Sequence, residues 1–152
     1  KKWAELTTGA WCYYNNVDEN GTTYGKLYNG YAINDPRGLA PQGYHLPSDE
    51  EWTTLTTQLG GESVAGGVMK AGSYWTNPNN GATNSSGFTG LPGGLRYSDG
   101  SLSATGYTGA WWTSSQQDIS NAWCREIGNL YIFVQRIGRQ KTEGHSVRCI
   151  KD

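Results

Sequence analysis

Twenty-two glycines are scattered along 152 residues instead of gathering in one linker, and that scatter limits the fold more than any other feature. A backbone interrupted so often breaks into short elements joined by turns and loops. Such a chain has little room for long amphipathic helices or strands from which to build a core. Leu, Ile, Val and Phe together number only 23. That share is low enough to suggest disorder, but disorder also needs a high net charge, and the formal charge here is -1. Seven Trp and ten Tyr supply the missing apolar bulk, since each large ring can remove roughly 150 to 250 Å² from water. The sequence therefore predicts one compact domain over residues 1–152 with an aromatic, irregular core. A chain of this length buries about two thirds of its unfolded surface.

Several partner classes find no support. There is no basic run to neutralise a row of phosphates, so nucleic acid is not expected. There is no apolar stretch of about 18 residues, so no membrane span is expected. The first residues, KKWAELTTGAW, lack the apolar centre of a secretion signal, which suits either a trimmed secreted chain or a domain cut from a longer one. Cys12, Cys124 and Cys149 leave at least one thiol unpaired in a monomer. A Cys124–Cys149 bridge is the first pairing to test, because both lie in expected strands. The competing reading is three buried apolar thiols.

The clearest local signal runs from Leu46 to Gly61. Ser48 stands as N-cap with Glu51 three residues on, a capping box, and Gly60 is the stop. Trp52, Leu55 and Leu59 share one face and should pack inward. Asp49, Glu50 and Glu51 read as helix starters that interact with the dipole, not as catalytic acids. A second helix is expected from about Ser63 to Lys70, where Gly66 and Gly67 suggest close approach of a neighbouring backbone. Residues 72 to 109 read as a long loop anchored by Trp75, Phe88, Leu91 and Leu95.

Short strands are expected over Ala110 to Ser114, Asn121 to Ile127, Leu130 to Ile137 and Ser146 to Ile150, with Gly128-Asn129 as a hairpin turn. Alternation puts Asn121, Trp123 and Arg125 on one face of their strand, and Tyr131, Phe133 and Gln135 on one face of the next. Rigid rings beside adaptable polar groups make a recognition surface. The candidate ligand-binding residues are Trp111, Asn121, Trp123, Arg125, Asn129, Tyr131, Phe133 and Gln135.

Motifs for chemistry are weak. His145 and Cys149 lack metal-ligand spacing, and His145 reads as a structural residue near a strand start. His45 reads as a hydrogen-bonding residue in a buried turn. No G-x-S-x-G occurs for serine catalysis, and enzymatic activity is not expected. No cofactor is expected either. Asp18-Glu19-Asn20-Gly21 and Asp99-Gly100 leave calcium as an alternative to plain turns, although neither has EF-hand spacing. The Glu-Pro-Asn and Gln-Pro-Asp tripeptides of calcium-dependent C-type lectins do not occur.

The segments YGKLYN, DPRGLAP, GYHLPSDEEW, GGESVAGG, NSSGF, LPGG, WWTSS and SVRC, in that order along nearly the whole chain, resemble the Fibrobacter succinogenes major paralogous (FISUMP) domain. That family is grouped with the C-type-lectin-like fold. The resemblance implies an α+β fold of the C-type-lectin-like kind, with two short helices, short antiparallel strands and long irregular loops. Gly30 and Tyr44 stand where the family pattern usually has Trp, which can reshape a packed cluster or open a pocket. The resemblance also implies a secreted or bacterial cell-surface location, in Bacteroidetes-like bacteria. It implies a recognition module for a glycan or a protein surface, without agreed catalytic residues. Alternatives it leaves open are a variable protein of a diversity-generating retroelement, rewritten between Trp111 and Arg139, an oxidase like the formylglycine-generating enzymes, and a structural spacer.

Overall fold

A computed structural model describes residues 2–152. The chain is α+β, with three short helices set against a mostly antiparallel sheet. The strands, in chain order, are β1 (Trp11–Cys12), β2 (Leu27–Asn29), β3 (Tyr44–His45), β4 (Gly93–Arg96), β5 (Leu102–Thr105), β6 (Thr108–Gln116), β7 (Asn121–Gly128), β8 (Gln135–Gln140), β9 (Gly144–His145) and β10 (Ile150–Lys151). The main sheet runs β1-β2-β9-β4-β6-β7-β8, with β5 also paired to β4. Only the β4–β6 pairing in it is parallel, and β3 and β10 form a separate antiparallel pair. The helices are α1 (Asp18–Tyr24), α2 (Asp49–Gln58) and α3 (Glu62–Met69), one more than the two expected.

Helix α2 starts as its sequence dictates. Ser48 Oγ accepts from the Glu51 N–H at 3.1 Å, and the Ser48 N–H donates to Glu51 Oε2 at 2.7 Å. A bulge in β6 docks onto the same end. The Asp49 N–H donates to Ser115 Oγ at 3.0 Å, and the Ser114 N–H to Pro47 O at 2.9 Å. Helix α3 bears out the expectation of close backbone approach. The Gly67 N–H donates to Ile132 O at 2.9 Å, and a Cβ on Gly66 would collide with the backbone of Phe133. Helix α1 occupies the acidic segment read as a turn. Asp18 and Glu19 lie in its first turn, and Gly21 lets the Tyr13 ring lie against it.

The core is aromatic and divided by the sheet. On the helix side Trp52, Ala65, Met69, Ala71, Trp75, Trp111, Ile127 and Val134 form one cluster, with Phe88 and Trp111 meeting edge to face at 5.4 Å. On the other side Trp112 packs with Ile33, Leu46, Ala110, Ala122 and Cys124. Its indole N–H donates to Tyr28 O at 2.7 Å. Cys12, Cys124 and Cys149 are all free thiols, so the Cys124–Cys149 bridge does not form, and both side chains pack in the Trp112 cluster as small apolar groups. Gly30 opens no cavity where the family pattern has Trp. Its Cα lies tight against Lys141, to whose carbonyl its N–H donates at 2.8 Å.

Four expectations of chain path change. Residues 146 to 149, expected in a strand, run between β9 and β10, and the expected hairpin turn at Gly128-Asn129 is a longer connection, residues 129 to 134, between β7 and β8. Residues 72 to 109 hold β4 and β5 as well as loop. Leu130 to Val134 is a turn and not the start of a strand. Its backbone bonds to α3 instead of a strand, with Ile132 O accepting from Gly67 and the Val134 N–H donating to Glu62 O at 2.7 Å.

The two histidines set opposite pH dependences. His45 is held at 2.7 Å from Asp152 and 2.8 Å from Glu51, and those carboxylates, Asp152 first, raise its pKa above the ordinary 6.5. A raised folded pKa adds stability that is complete below pH 6.5 and fades as pH rises through the folded value. His145 is fully buried, and burial lowers its pKa despite Glu143 at 3.1 Å. It therefore costs stability as pH falls below 6.5, where only the unfolded chain takes up the proton. Melting His45→Gln beside the parent chain should show a deficit that is largest near about pH 5.5 and shrinks toward about pH 8. A deficit that does not change with pH would contradict this.

Candidate functional site

The eight residues expected to form one surface do not share one. Trp111, Arg125 and Asn129 lie inside the protein. Trp111 is 5 % exposed, in the helix-side cluster, and Asn129 is 5 % exposed, donating from Nδ2 to Thr76 O at 3.0 Å. Arg125 is fully buried. Asn121 and Trp123 stay half-buried at the opening end of β7. Tyr131 and Phe133 sit in the turn beyond its far end, stacked at 4.1 Å with their planes 9° apart. Gln135 is exposed opposite Glu126, on the face of the sheet away from α2. Five residues of strand, about 16 Å, separate Trp123 from the end of β7. The structure leaves two separate aromatic sites, one at Trp123 and one at Tyr131 and Phe133.

The first site is built on Asp49. Trp123 and Arg125 point to the α2 side of β7, and β8 places Arg136 directly across from Arg125. Asp49, at the first turn of α2, bridges the two cations. Arg125 Nη1 donates to Oδ1 at 2.6 Å, while Arg136 donates to Oδ2 from Nε at 3.0 Å and from Nη2 at 2.8 Å. Arg125 is satisfied further by Asp49 O and Thr53 Oγ1, both at 3.1 Å. Burial opposes ionisation of Asp49, but hydrogen bonds from Arg136 and then Arg125 hold its carboxyl below its usual range. The fixed Arg136 guanidinium in turn lies 3.4 Å over the centre of the Trp123 ring, a cation–π contact. A buried ion pair thus immobilises a surface tryptophan. Sequence reasoning placed Arg125 on the correct face and missed Asp49 and Arg136 as its partners.

Away from this site, a second polar cluster is closed. Arg139 donates to Glu126 Oε2 at 2.6 Å and lies 3.9 Å from Glu143, which binds His145. Cys124 beside it is fully buried, and burial drives its thiol far above the ordinary range, which leaves it unreactive. Among the described residues no group of three or more His, Cys, Asp or Glu is arranged to hold a metal. Asp99 folds back on its own turn, accepting from the Ser101 N–H and hydroxyl at 2.8 and 2.6 Å.

A cavity of about 470 Å³ opens elsewhere, between β2, the end of α1 and residues 146–149. Tyr13, Tyr24, Lys26, Tyr28 and Arg148 line it, and Trp111 and Cys149 contribute part of the wall. No helix among the described residues is long and apolar enough to cross a membrane.

Comparison with curated proteins and with solved structures returns no match. A family model does match, over residues 1–151, that of the Fibrobacter succinogenes major domain, and the chain belongs to that family.

Proposed function

We propose that this chain is an extracellular recognition module, secreted or held at a bacterial cell surface, that binds a glycan or a protein surface without catalysis and without a cofactor. The carrying observation is the Trp123 ring fixed by Arg136, Asp49 and the buried Arg125. A ring whose rotamer is set before binding loses little entropy when a ligand covers it. The stack of half-buried Tyr131 on exposed Phe133 offers a second such surface. The family membership and the layout of short strands and large loops fit the C-type-lectin-like fold. The absence of a reactive thiol pair argues against an oxidase reading, since Cys124 is buried and both it and Cys149 have raised pKa values.

Glycan-array and pull-down binding test this with Trp123→Ala and Tyr131→Ala. Loss of at least tenfold in affinity in one variant, with an unchanged melting temperature, is expected. Unchanged binding in both variants removes these surfaces from the function.

A second reading, diversification by a retroelement, is favoured by the edge position of β8 and by exposed Gln135, Arg136 and Gln140. The burial of Trp111, Trp112, Arg125 and Ile127 restricts rewriting to the positions between them. A reverse transcriptase and template repeat beside the coding sequence would support this reading, and their absence would remove it.

A further inference from the structure

The 470 Å³ cavity lies among three segments far apart in sequence, and its charge balance is unusual. Lys26 and Arg148 both line it, in a chain whose formal net charge is -1. Among the described residues neither pairs with a carboxylate. Arg148 makes one hydrogen bond, from Nη2 to Phe88 O at 2.6 Å, and its guanidinium lies 4.6 Å over the Phe88 ring. That contact fixes the side chain and leaves Nε and Nη1 without a protein partner. The Lys26 ammonium rests 3.8 Å over the Trp11 ring, which in turn lies 5.2 Å from Tyr13. Of the other arginines, Arg37, Arg125, Arg136 and Arg139 pair with carboxylates, while Arg96 lies 4.3 Å over the Trp3 ring and donates to Gly100 O. Lys26 and Arg148 thus line a cavity whose wall holds no carboxylate, and neither has an internal anion, which leaves both available to an external one.

The rest of the lining says what carries that anion. Three tyrosines, Tyr13, Tyr24 and Tyr28, bring flat faces and hydroxyls into one concavity. Ring faces stack on the C–H faces of sugars, while hydroxyls and a guanidinium bind their oxygens. A cavity of this size takes a small unit, not the flat epitope of a folded protein. We propose that this cavity binds an acidic saccharide, with Arg148 and Lys26 on its carboxylate or sulfate and the tyrosines around its ring. This rests on the reading of the chain as a recognition module, but on a separate part of the surface from Trp123.

The test is affinity electrophoresis of the full chain in gels containing polygalacturonate, dextran sulfate or a neutral β-glucan, followed by calorimetry on the retarding polymer. Retardation by an acidic polymer and not by the neutral one is expected, weakening with salt. Polygalacturonate alone would identify a carboxylate ligand, and dextran sulfate alone a sulfate. Lys26→Gln and Arg148→Gln should each weaken binding about tenfold, equal to about 1.4 kcal/mol. Trp123→Ala should leave this binding unchanged. Bound polymer should also slow alkylation of Cys149, the one thiol that is not buried. If Arg148→Gln fails to fold, Lys26→Gln and Cys149 protection carry the test. No retardation by either acidic polymer, equal retardation by the neutral one, or parent-like binding by Lys26→Gln overturns the proposal. So does displacement by an acidic peptide at the concentrations where oligogalacturonate acts. Binding lost in Trp123→Ala and kept in Lys26→Gln would overturn the pocket while supporting the Trp123 surface.

Discussion

Asp49→Ala is expected to destabilise the protein by about 3 to 5 kcal/mol, because it removes the partner of a buried charge and leaves that charge in place. For a chain of this length the loss corresponds to a fall of roughly 10 °C in Tm. Arg125 has no exposed surface, and its Nη1 meets Asp49 at 2.6 Å. Without the carboxylate its guanidinium keeps only the backbone carbonyl of residue 49 and Thr53 Oγ1. Asp49 also sits in the first turn of α2, where any acid interacts with the dipole by about 0.3 to 1 kcal/mol. Glu50→Ala measures that smaller effect alone, since Glu50 is exposed and has no ion pair. Thermal and denaturant melts of the two variants therefore separate the buried pair from the dipole. A loss in Asp49→Ala no greater than in Glu50→Ala would show that Arg125 finds other compensation. Arg136→Ala, by contrast, removes a half-exposed partner and should cost less than about 1 kcal/mol. It should still weaken any binding that depends on an immobilised Trp123.

The same residue marks where sequence reasoning stops. The capping box at Ser48 and Glu51 is local, three residues apart, and the structure contains both of its hydrogen bonds. Gly66 and Gly67 announced a close backbone approach, and the turn at Ile132 and Phe133 makes it. Period-2 alternation placed Trp123 and Arg125 correctly on one face of β7. It could not show that α2 covers the Arg125 end and leaves the Trp123 end open, because Asp49 is 76 residues from Arg125 and 87 from Arg136. Leu130 to Val134 alternates like a strand, yet its backbone groups are taken by α3 and by the side chains of Lys70 and Asn80. Helix α1 carries no apolar periodicity and no side-chain cap, and its local signals are only the acids Asp18 and Glu19 at its start and Gly25 at its end. It is held instead by Asn20 Nδ2 on Tyr14 O at 3.0 Å and by the Tyr13 ring against Gly21. The cavity was equally invisible, since Lys26 and Arg148 come to line one space only after β2 and the segment leading from β9 to β10 are in place.

Lys70→Met should cost about 2 to 4 kcal/mol, and its effect should concentrate in the turn that presents Tyr131 and Phe133. Lys70 follows α3 and is fully buried, with Nζ donating to Asn80 O at 2.7 Å and to Gly128 O and Tyr131 O at 2.9 Å. Three carbonyls, from the Asn80 loop, the end of β7 and the turn after it, thus converge on one ammonium. No carboxylate is involved, so the group acts as a cross-link between backbone segments. Methionine matches the length of the stem, relieves the desolvation of the charge, and leaves the carbonyls without their donor, each at about 1 to 3 kcal/mol if it stays dry. The relief offsets part of that sum, which sets the expected range below the total for three. Unlike Asp49→Ala, whose damage is centred on the α2 and β7 contact, this variant should loosen residues 128 to 131 and the neighbouring Asn80 loop. Hydrogen exchange should therefore rise first at Asn129, whose N–H bonds Tyr107 O, and at Asn80, whose N–H bonds Asn129 O. Binding that is sensitive to Tyr131→Ala should fall in parallel, while binding that depends on Trp123 should persist. Uniform exchange across the whole chain would instead mean that Lys70 supports global stability and does not organise the turn.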